Sequence, residues 1–303
     1  MNKLIKIALV LLIVSLSAFA QTDSPTGIFK VYEGGGLRRG ASDLVKTETR
    51  KLSSKLMGRE IPYRVITPSN YAAANETARY AVIYLLHGLT GHFDNWTDKT
   101  SLTEYASKHN FIIVTPEGNN GWYTDSVTTP NDKYESYIVK ELIPEIDKTF
   151  RTIADRDHRA IAGLSMGGYG SIKFGMKYPE MFSLVGSFSG ALGAAAFSEK
   201  SIGAIGKSLD AIYGPEESDA RKANDIFLMV QQISAEKIKA MPFFYVDCGT
   251  EDFLFKNNQD FVKLLVEKKV PHEFRQLPGG HNWVYWNSQV KEFLEVADKR
   301  LKK

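Results

Sequence analysis

Gly163, Ser165 and Gly167 stand in the pattern Gly-x-Ser-x-Gly, between the apolar run 159–162 and a stretch from Ser171 to Lys177 that reads as the start of a helix. A strand turning abruptly into a helix strains its central residue. Small flanking residues let the two elements pass closely, so the serine hydroxyl stands exposed. The helix N-terminus beneath it favours developing negative charge. A serine hydroxyl is a poor nucleophile alone, and its usual base is a histidine oriented by a carboxylate. In a strand–turn–helix architecture these partners follow the serine in chain order, acid then histidine, each past the carboxyl end of a later strand. Of the six histidines, His281 alone follows a strand in a Gly-Gly loop downstream of a candidate acid; His109, His158 and His272 lie at strand beginnings. For the acid, Asp252 competes with Asp247 and Glu251. Asp247 lies inside a strand, whereas Asp252 is past the Gly249 turn, where a loop can bend toward the histidine, so Asp252 is preferred.

Such a constellation suits acyl transfer, which also needs backbone donors for the oxyanion. One is the residue after the nucleophile, Met166. The other comes from the loop after an earlier strand, and in His87-Gly88-Leu89-Thr90-Gly91 the Leu89 N–H is the choice. His87 is expected to pack under that loop, since no ligand-type residues cluster near it at metal spacing. No metal and no cofactor is expected, and there is no glycine-rich nucleotide fingerprint. Aromatic residues recur in the same loops: Trp96, Trp122 and Tyr123, Phe253, then Trp283, Tyr285 and Trp286. Core packing accounts for any one of them; together they suit a binding face for an aromatic acyl group or a sugar ring.

These residues need a scaffold. Residues 45–67 alternate as an antiparallel strand pair, with Pro62 suggesting that the second strand starts at an edge. Continuous apolar runs at 80–86, 111–115, 159–162, 184–189 and 241–249 read as strands buried on both faces, and 272–277 as the last strand. Helical spacing falls at 101–108, 134–150, 258–268 and 289–301. The alternation predicts one α/β domain over 45–303, a mostly parallel sheet with helices on both faces. The Ala- and Gly-rich stretch 191–233 breaks the rhythm and reads as an insertion of the kind that forms lids.

The chain has 303 residues and a formal charge of +3. Lys3 and Lys6 precede an apolar run and the small-residue pattern Ala18-Phe19-Ala20, the layout of a secretory signal peptide over 1–20. The run is short for a bilayer span of about 20 residues. Cleavage removes two lysines and no acid, taking +3 to +1. Neither nucleic acid nor an anionic membrane surface is implied as a partner. Export to the periplasm or outside the cell is expected, with residues 21–44 a polar, glycine-rich lead-in. The single cysteine, Cys248, excludes an internal disulfide and reads as a packing residue. A homo-oligomer is compatible with all of this.

The sequence resembles the esterase D-like branch of the α/β-hydrolases, which includes feruloyl and acetyl-xylan esterases, tributyrin esterases, S-formylglutathione hydrolases and mycolyltransferases. The matching stretches are Tyr84-Leu-Leu-His-Gly-Leu-Thr-Gly, Gly118-Asn-Asn-Gly-Trp-Tyr-Thr-Asp-Ser, Gly163-Leu-Ser-Met-Gly-Gly-Tyr-Gly, Asp247-Cys-Gly-Thr-Glu-Asp-Phe-Leu and Pro278-Gly-Gly-His-Asn-Trp-Val-Tyr-Trp, in the family's order. The resemblance implies the α/β-hydrolase fold, Ser165, Asp252 and His281 as the triad, and Leu89 and Met166 as oxyanion donors. It makes Trp122, Tyr123 and Asp125 candidate substrate contacts, beside Trp283 from the aromatic cluster. An export signal suits an esterase acting on feruloyl or acetyl groups of plant polysaccharide better than a cytosolic S-formylglutathione hydrolase. An acyltransferase with a sugar hydroxyl as acceptor shares the same elbow and stays open.

Overall fold

The computed structural model describes residues 45–301; the expected signal peptide and lead-in lie outside them. Eight strands form one sheet: β1 (Lys46–Ser54), β2 (Arg59–Thr67), β3 (Ala81–Leu86), β4 (Phe111–Pro116), β5 (Arg159–Leu164), β6 (Leu184–Phe188), β7 (Phe243–Gly249) and β8 (His272–Leu277). They lie in the order β1-β2-β4-β3-β5-β6-β7-β8. The β1·β2 and β2·β4 pairs are antiparallel, and every pair from β4 to β8 is parallel. The expected α/β architecture, a mostly parallel sheet between helices, is the observed one.

Period-two alternation assigns the strand side chains to two layers. In β3, Val82, Tyr84 and Leu86 join one core cluster, while Ala81, Ile83 and Leu85 join the other. The first layer is closed by the helices Met166–Lys177 and Phe255–Lys268 and by the helical stretch 134–149. The second is closed by Leu102–Ala106 and the C-terminal helix Trp283–Arg300. Strands β3 to β6 are buried at every position, which is why their sequences are unbroken apolar runs. β1 and β8 are the edges and carry the charges.

β2 starts at an edge, as expected: Pro62 pairs only with Lys51 of β1, and β4 joins on the other side from Tyr63, so the missing N–H costs no bond to β4. One local reading changes. The closing helix begins at Trp283, six positions before the expected Gln289, because Asn282 caps it by accepting the Tyr285 N–H at 3.1 Å. That places His281 immediately before a helix. The insertion 191–233 folds into short helices, among them Glu199–Ile202, Ala204–Tyr213 and Ile226–Gln231. Buried Arg221 ties it together, its guanidinium donating to the carbonyls of Ala195 and Phe197 and pairing with Asp210 at 2.5 Å. No helix among the described residues is long and apolar enough to cross a membrane.

Candidate active site

Ser165 occupies the turn between β5 and the helix that starts at Met166, with φ 53° and ψ −115°. A non-glycine residue there costs about 1–3 kcal/mol, which the surroundings must over-determine. They do so through both backbone groups: its N–H donates to Phe188 O and its carbonyl accepts from Ala191 N–H, each at 3.0 Å. Gly163 and Gly167 are required by contact rather than by flexibility. A Cβ on Gly163 would lie 2.5 Å from the Gly167 carbonyl, and one on Gly167 would lie 2.5 Å from Leu86 O. The Gly-x-Ser-x-Gly spacing is thus the imprint of strand, helix and β3 in backbone contact.

β3, β5, β7 and β8 run parallel, so the loops at their carboxyl ends share one side of the sheet. That topology gathers Leu89, Ser165, Asp252 and His281 although they span nearly 200 residues of chain. His281 Nε2 lies 3.0 Å from Ser165 Oγ, and its Nδ1 lies 2.8 Å from Asp252 Oδ2. Because an ionised carboxylate only accepts, Nδ1 carries the hydrogen and Nε2 is left to accept from the serine hydroxyl. Asp252 Oδ1 accepts the Leu254 N–H at 2.8 Å, fixing the carboxylate. Burial pushes the Asp252 carboxyl up, but the hydrogen bonds from His281 and the Leu254 N–H outweigh it and hold the group below the usual range. The imidazole packs against Phe253, with centroids 4.6 Å apart, and against Trp286, at 4.9 Å.

The rival acids do not reach His281. Asp247 is fully buried on the face of the sheet beneath Tyr285, and burial pushes it up to about 7, with Tyr285 and Arg275 pulling the other way. Glu251 is exposed. Cys248 is buried, and burial pushes its thiol up, away from thiolate chemistry.

Leu89 lines the same cleft as Ser165 and Met166 follows Ser165 in the chain, and among the described residues neither N–H makes a backbone hydrogen bond. Met166 opens its helix, where the first N–H groups have no intrahelical partner. The Leu89 loop is held by contacts that the sequence did not announce. Thr90, at φ 60°, donates its N–H to Asn120 Oδ1 at 2.8 Å. His87, 1% exposed, bonds Gly88 O through Nδ1 at 2.8 Å and places Nε2 3.2 Å from Glu117 Oε1. Burial raises Glu117, yet His87 and the N–H groups of Asn119 and Phe93 bring it down to about 2.

Ser165 and His281 form the floor of a cleft of about 480 Å³. Trp122, Trp283 and Trp286 form part of its wall, with Phe253 and, from the insertion, Phe197, Ile202 and Ile205; Lys99 and Asn95 are among its polar lining. Of the expected substrate contacts, Trp122 and Trp283 are therefore in the cleft, and two are not. Tyr123 is fully buried with its hydroxyl donating to His87 O at 3.0 Å. Asp125 accepts from the Ser136 N–H and hydroxyl at 2.9 and 2.6 Å, securing the start of a helix instead of facing substrate. Of the other clustered aromatics, Trp96 and Tyr285 belong to the core; the Trp96 indole donates to Leu86 O. Ile202 and Ile205 carried no signal in sequence, since single aliphatic residues in short helices of an Ala- and Gly-rich insertion read as packing. Among the described residues no group of three His, Cys, Asp or Glu side chains could hold a metal ion.

Comparison with known proteins agrees with this geometry. The Esterase family model matches residues 54–295. An acetyl esterase of Caldicellulosiruptor saccharolyticus is 28% identical over 226 residues, covering 72% of this chain and 83% of that one. A solved ferulic acid esterase superposes with a TM-score of 0.73 at 29% identity, covering 85% of this chain and 99% of its own. FphF, a fluorophosphonate-binding serine hydrolase of Staphylococcus aureus, gives 0.74 at 26%, covering 84% and 98%. With four fifths of its length inside the family model and an ester-cleaving arrangement at the ends of its parallel strands, the chain belongs to the Esterase family and is a carboxylic ester hydrolase of the α/β-hydrolase fold.

Proposed function

We propose that the chain is an exported serine esterase that removes acyl groups, feruloyl or acetyl, from plant-type carbohydrate through an acyl-enzyme on Ser165. The observation that carries the mechanism is the hydrogen-bonded series Asp252–His281–Ser165 on the floor of an apolar cleft. His281 takes the serine proton as Oγ attacks the ester carbonyl and returns it to the leaving alcohol, while Asp252 keeps the imidazole in the required tautomer. The N–H groups of Leu89 and Met166 receive the oxyanion, each worth about 2.7–4 kcal/mol to the transition state. Water, activated by the same imidazole, then releases the acid.

The substrate class draws on the aromatic walls, Trp122 and Trp283, which suit a phenolic ring or a sugar face, and on the acetyl and ferulic acid esterases among the relatives. Export rests on the leader-like stretch 1–20. The experiment is a paired hydrolysis assay, methyl ferulate against an acetylated xylo-oligosaccharide, with Ser165→Ala alongside. Preference for either supports the carbohydrate reading and names its acyl group. Cleavage of neither, with short aryl esters still turned over, removes the substrate assignment and leaves the mechanism. Amino-terminal sequencing of the protein recovered outside the cytoplasm tests cleavage after Ala20.

A further inference from the structure

Trp122 and Tyr123 are consecutive non-glycine residues with positive φ, 51° and 53°. Two such residues in succession do not hold themselves, since each is disfavoured by contact of its own Cβ with the backbone. Their carbonyls converge on one buried cation. Lys173, in the helix that follows Ser165, is 0% exposed. Its Nζ donates to Tyr123 O at 2.8 Å and to Thr124 Oγ1 at 2.5 Å, and it pairs with Glu135 Oε2 at 2.9 Å. The Thr124 hydroxyl in turn donates to Trp122 O at 2.9 Å. An ammonium has three protons, and here each has one acceptor. The carbonyls of both strained residues are therefore held by Lys173, one directly and one through a hydroxyl.

We infer that Lys173 is a positioning residue for substrate recognition: its ammonium holds Trp122 in the cleft wall, so the wall keeps its shape only while Lys173 is protonated. This rests on the reading that the cleft above Ser165 is where the ester binds. Loss of one proton leaves a fully buried amine with two donors facing three acceptors, so Tyr123 O, Thr124 Oγ1 or Glu135 loses its partner and the turn at 122–124 loses part of its anchor. The charged and titratable groups around Nζ are Glu135 and, on its own helix, Lys177 and Tyr169, with Asp125 from the loop. Tyr213, from the insertion, joins through Thr124 at 3.4 Å. Burial lowers Lys173 to about 8, with Glu135 opposing, so the release falls in an accessible range. The Glu135 carboxylate favours the charged amine, and removing its charge moves the release to lower pH.

The test is the pH profile of kcat/KM from pH 6 to 10 on 4-nitrophenyl butyrate, for the wild-type chain, Lys173→Met, Glu135→Gln and Thr124→Val. Wild type should lose activity above about pH 8 through KM, with little change in kcat. Glu135→Gln should move that alkaline limb to lower pH. Lys173→Met should lack the limb and show a KM raised about tenfold at pH 7. If Lys173→Met does not fold, Thr124→Val, which keeps the ion pair to Glu135 but removes the hydroxyl that accepts from Nζ and donates to Trp122 O, should raise KM in a protein of lowered melting temperature whose circular dichroism spectrum matches wild type. An unshifted limb in Glu135→Gln, or an unchanged KM in folded Lys173→Met or in Thr124→Val, overturns the inference. Fluorophosphonate labelling separates the two levels. An unlabelled Ser165 in wild type sinks the parent reading, whereas normal labelling with unaltered KM in the variants sinks only the role of Lys173.

Discussion

The imidazole of His281 stands at right angles to the indole of Trp286, with ring planes at 87° and centroids 4.9 Å apart, while Phe253 packs against it at 4.6 Å. Phe253 is 77% exposed and so contributes little to folding. Phe253→Ala should leave the melting temperature unchanged and lower kcat/KM about 3- to 10-fold, the worth of one ring–ring contact. Steady-state kinetics beside a thermal melt decide it; a large fall in melting temperature would assign the ring to stability instead.

Ser165→Ala should reduce kcat on a simple aryl ester by about 10⁶ and abolish fluorophosphonate labelling while the chain stays folded. Asp252→Asn, which presents the wrong tautomer to the imidazole, should cost about 10⁴. Asp247→Asn, five residues earlier on the same chain segment, should leave turnover near wild type, because Asp247 has no contact with His281. A comparable loss in Asp247→Asn would exchange the two assignments.

Glu117 and Asp247 should pull stability in opposite directions as pH changes. Glu117 is lowered to about 2, so its contribution is present above the ordinary carboxylate range and is lost as pH falls from about 4.5 toward 2. Glu117→Gln should therefore destabilise at pH 7, by at most on the order of 2–3 kcal/mol, with the difference from wild type vanishing in acid. Asp247 is raised to about 7. Its contribution is complete below its unfolded pKa and is lost as pH rises through 7. Asp247→Asn should accordingly gain on wild type between pH 4 and 8, and denaturant titrations at several pH values would show a gap of the wrong sign if either assignment fails.

Gly163→Ala should prevent accumulation of folded protein or destabilise it by about 1–3 kcal/mol or more, the cost of overpacking. The added methyl meets backbone, which cannot rotate away as a side chain can. Expression yield and circular dichroism read this directly; a fully stable Gly163→Ala would mean that strand and helix can separate.

Strand sequence was the most legible part of the chain because β3 to β6 are buried on both faces, leaving unbroken apolar runs with no competing explanation. Ser165, Asp252 and His281 were legible because their strands end in glycine turns that only a loop at the carboxyl end of the sheet requires. Tyr123 and Asp125 were misread for a physical reason. They neighbour Trp122, but the turn at 122–124 sends successive side chains in different directions, one under His87 and one to Ser136. Lys173 and Glu117 gave no signal, since a charged residue in an amphipathic stretch is ordinarily solvated and only the packed structure shows each one buried with partners. Ile202 and Ile205 were hidden in the same way, as aliphatic residues of two short helices.

The insertion leaves the sheet after β6 and returns before β7, and these two strands are neighbours. Phe197, Ile202 and Ile205 reach the cleft from it, while Ser165, Asp252 and His281 come from three other connections. The insertion thus supplies part of the cleft wall but no member of the triad, while its first residue, Ala191, holds the Ser165 carbonyl. A segment exchanged over 192–233 would reshape one wall and leave the nucleophile in place only if it kept that bond and the Asn224 carbonyl that accepts from the Tyr169 hydroxyl.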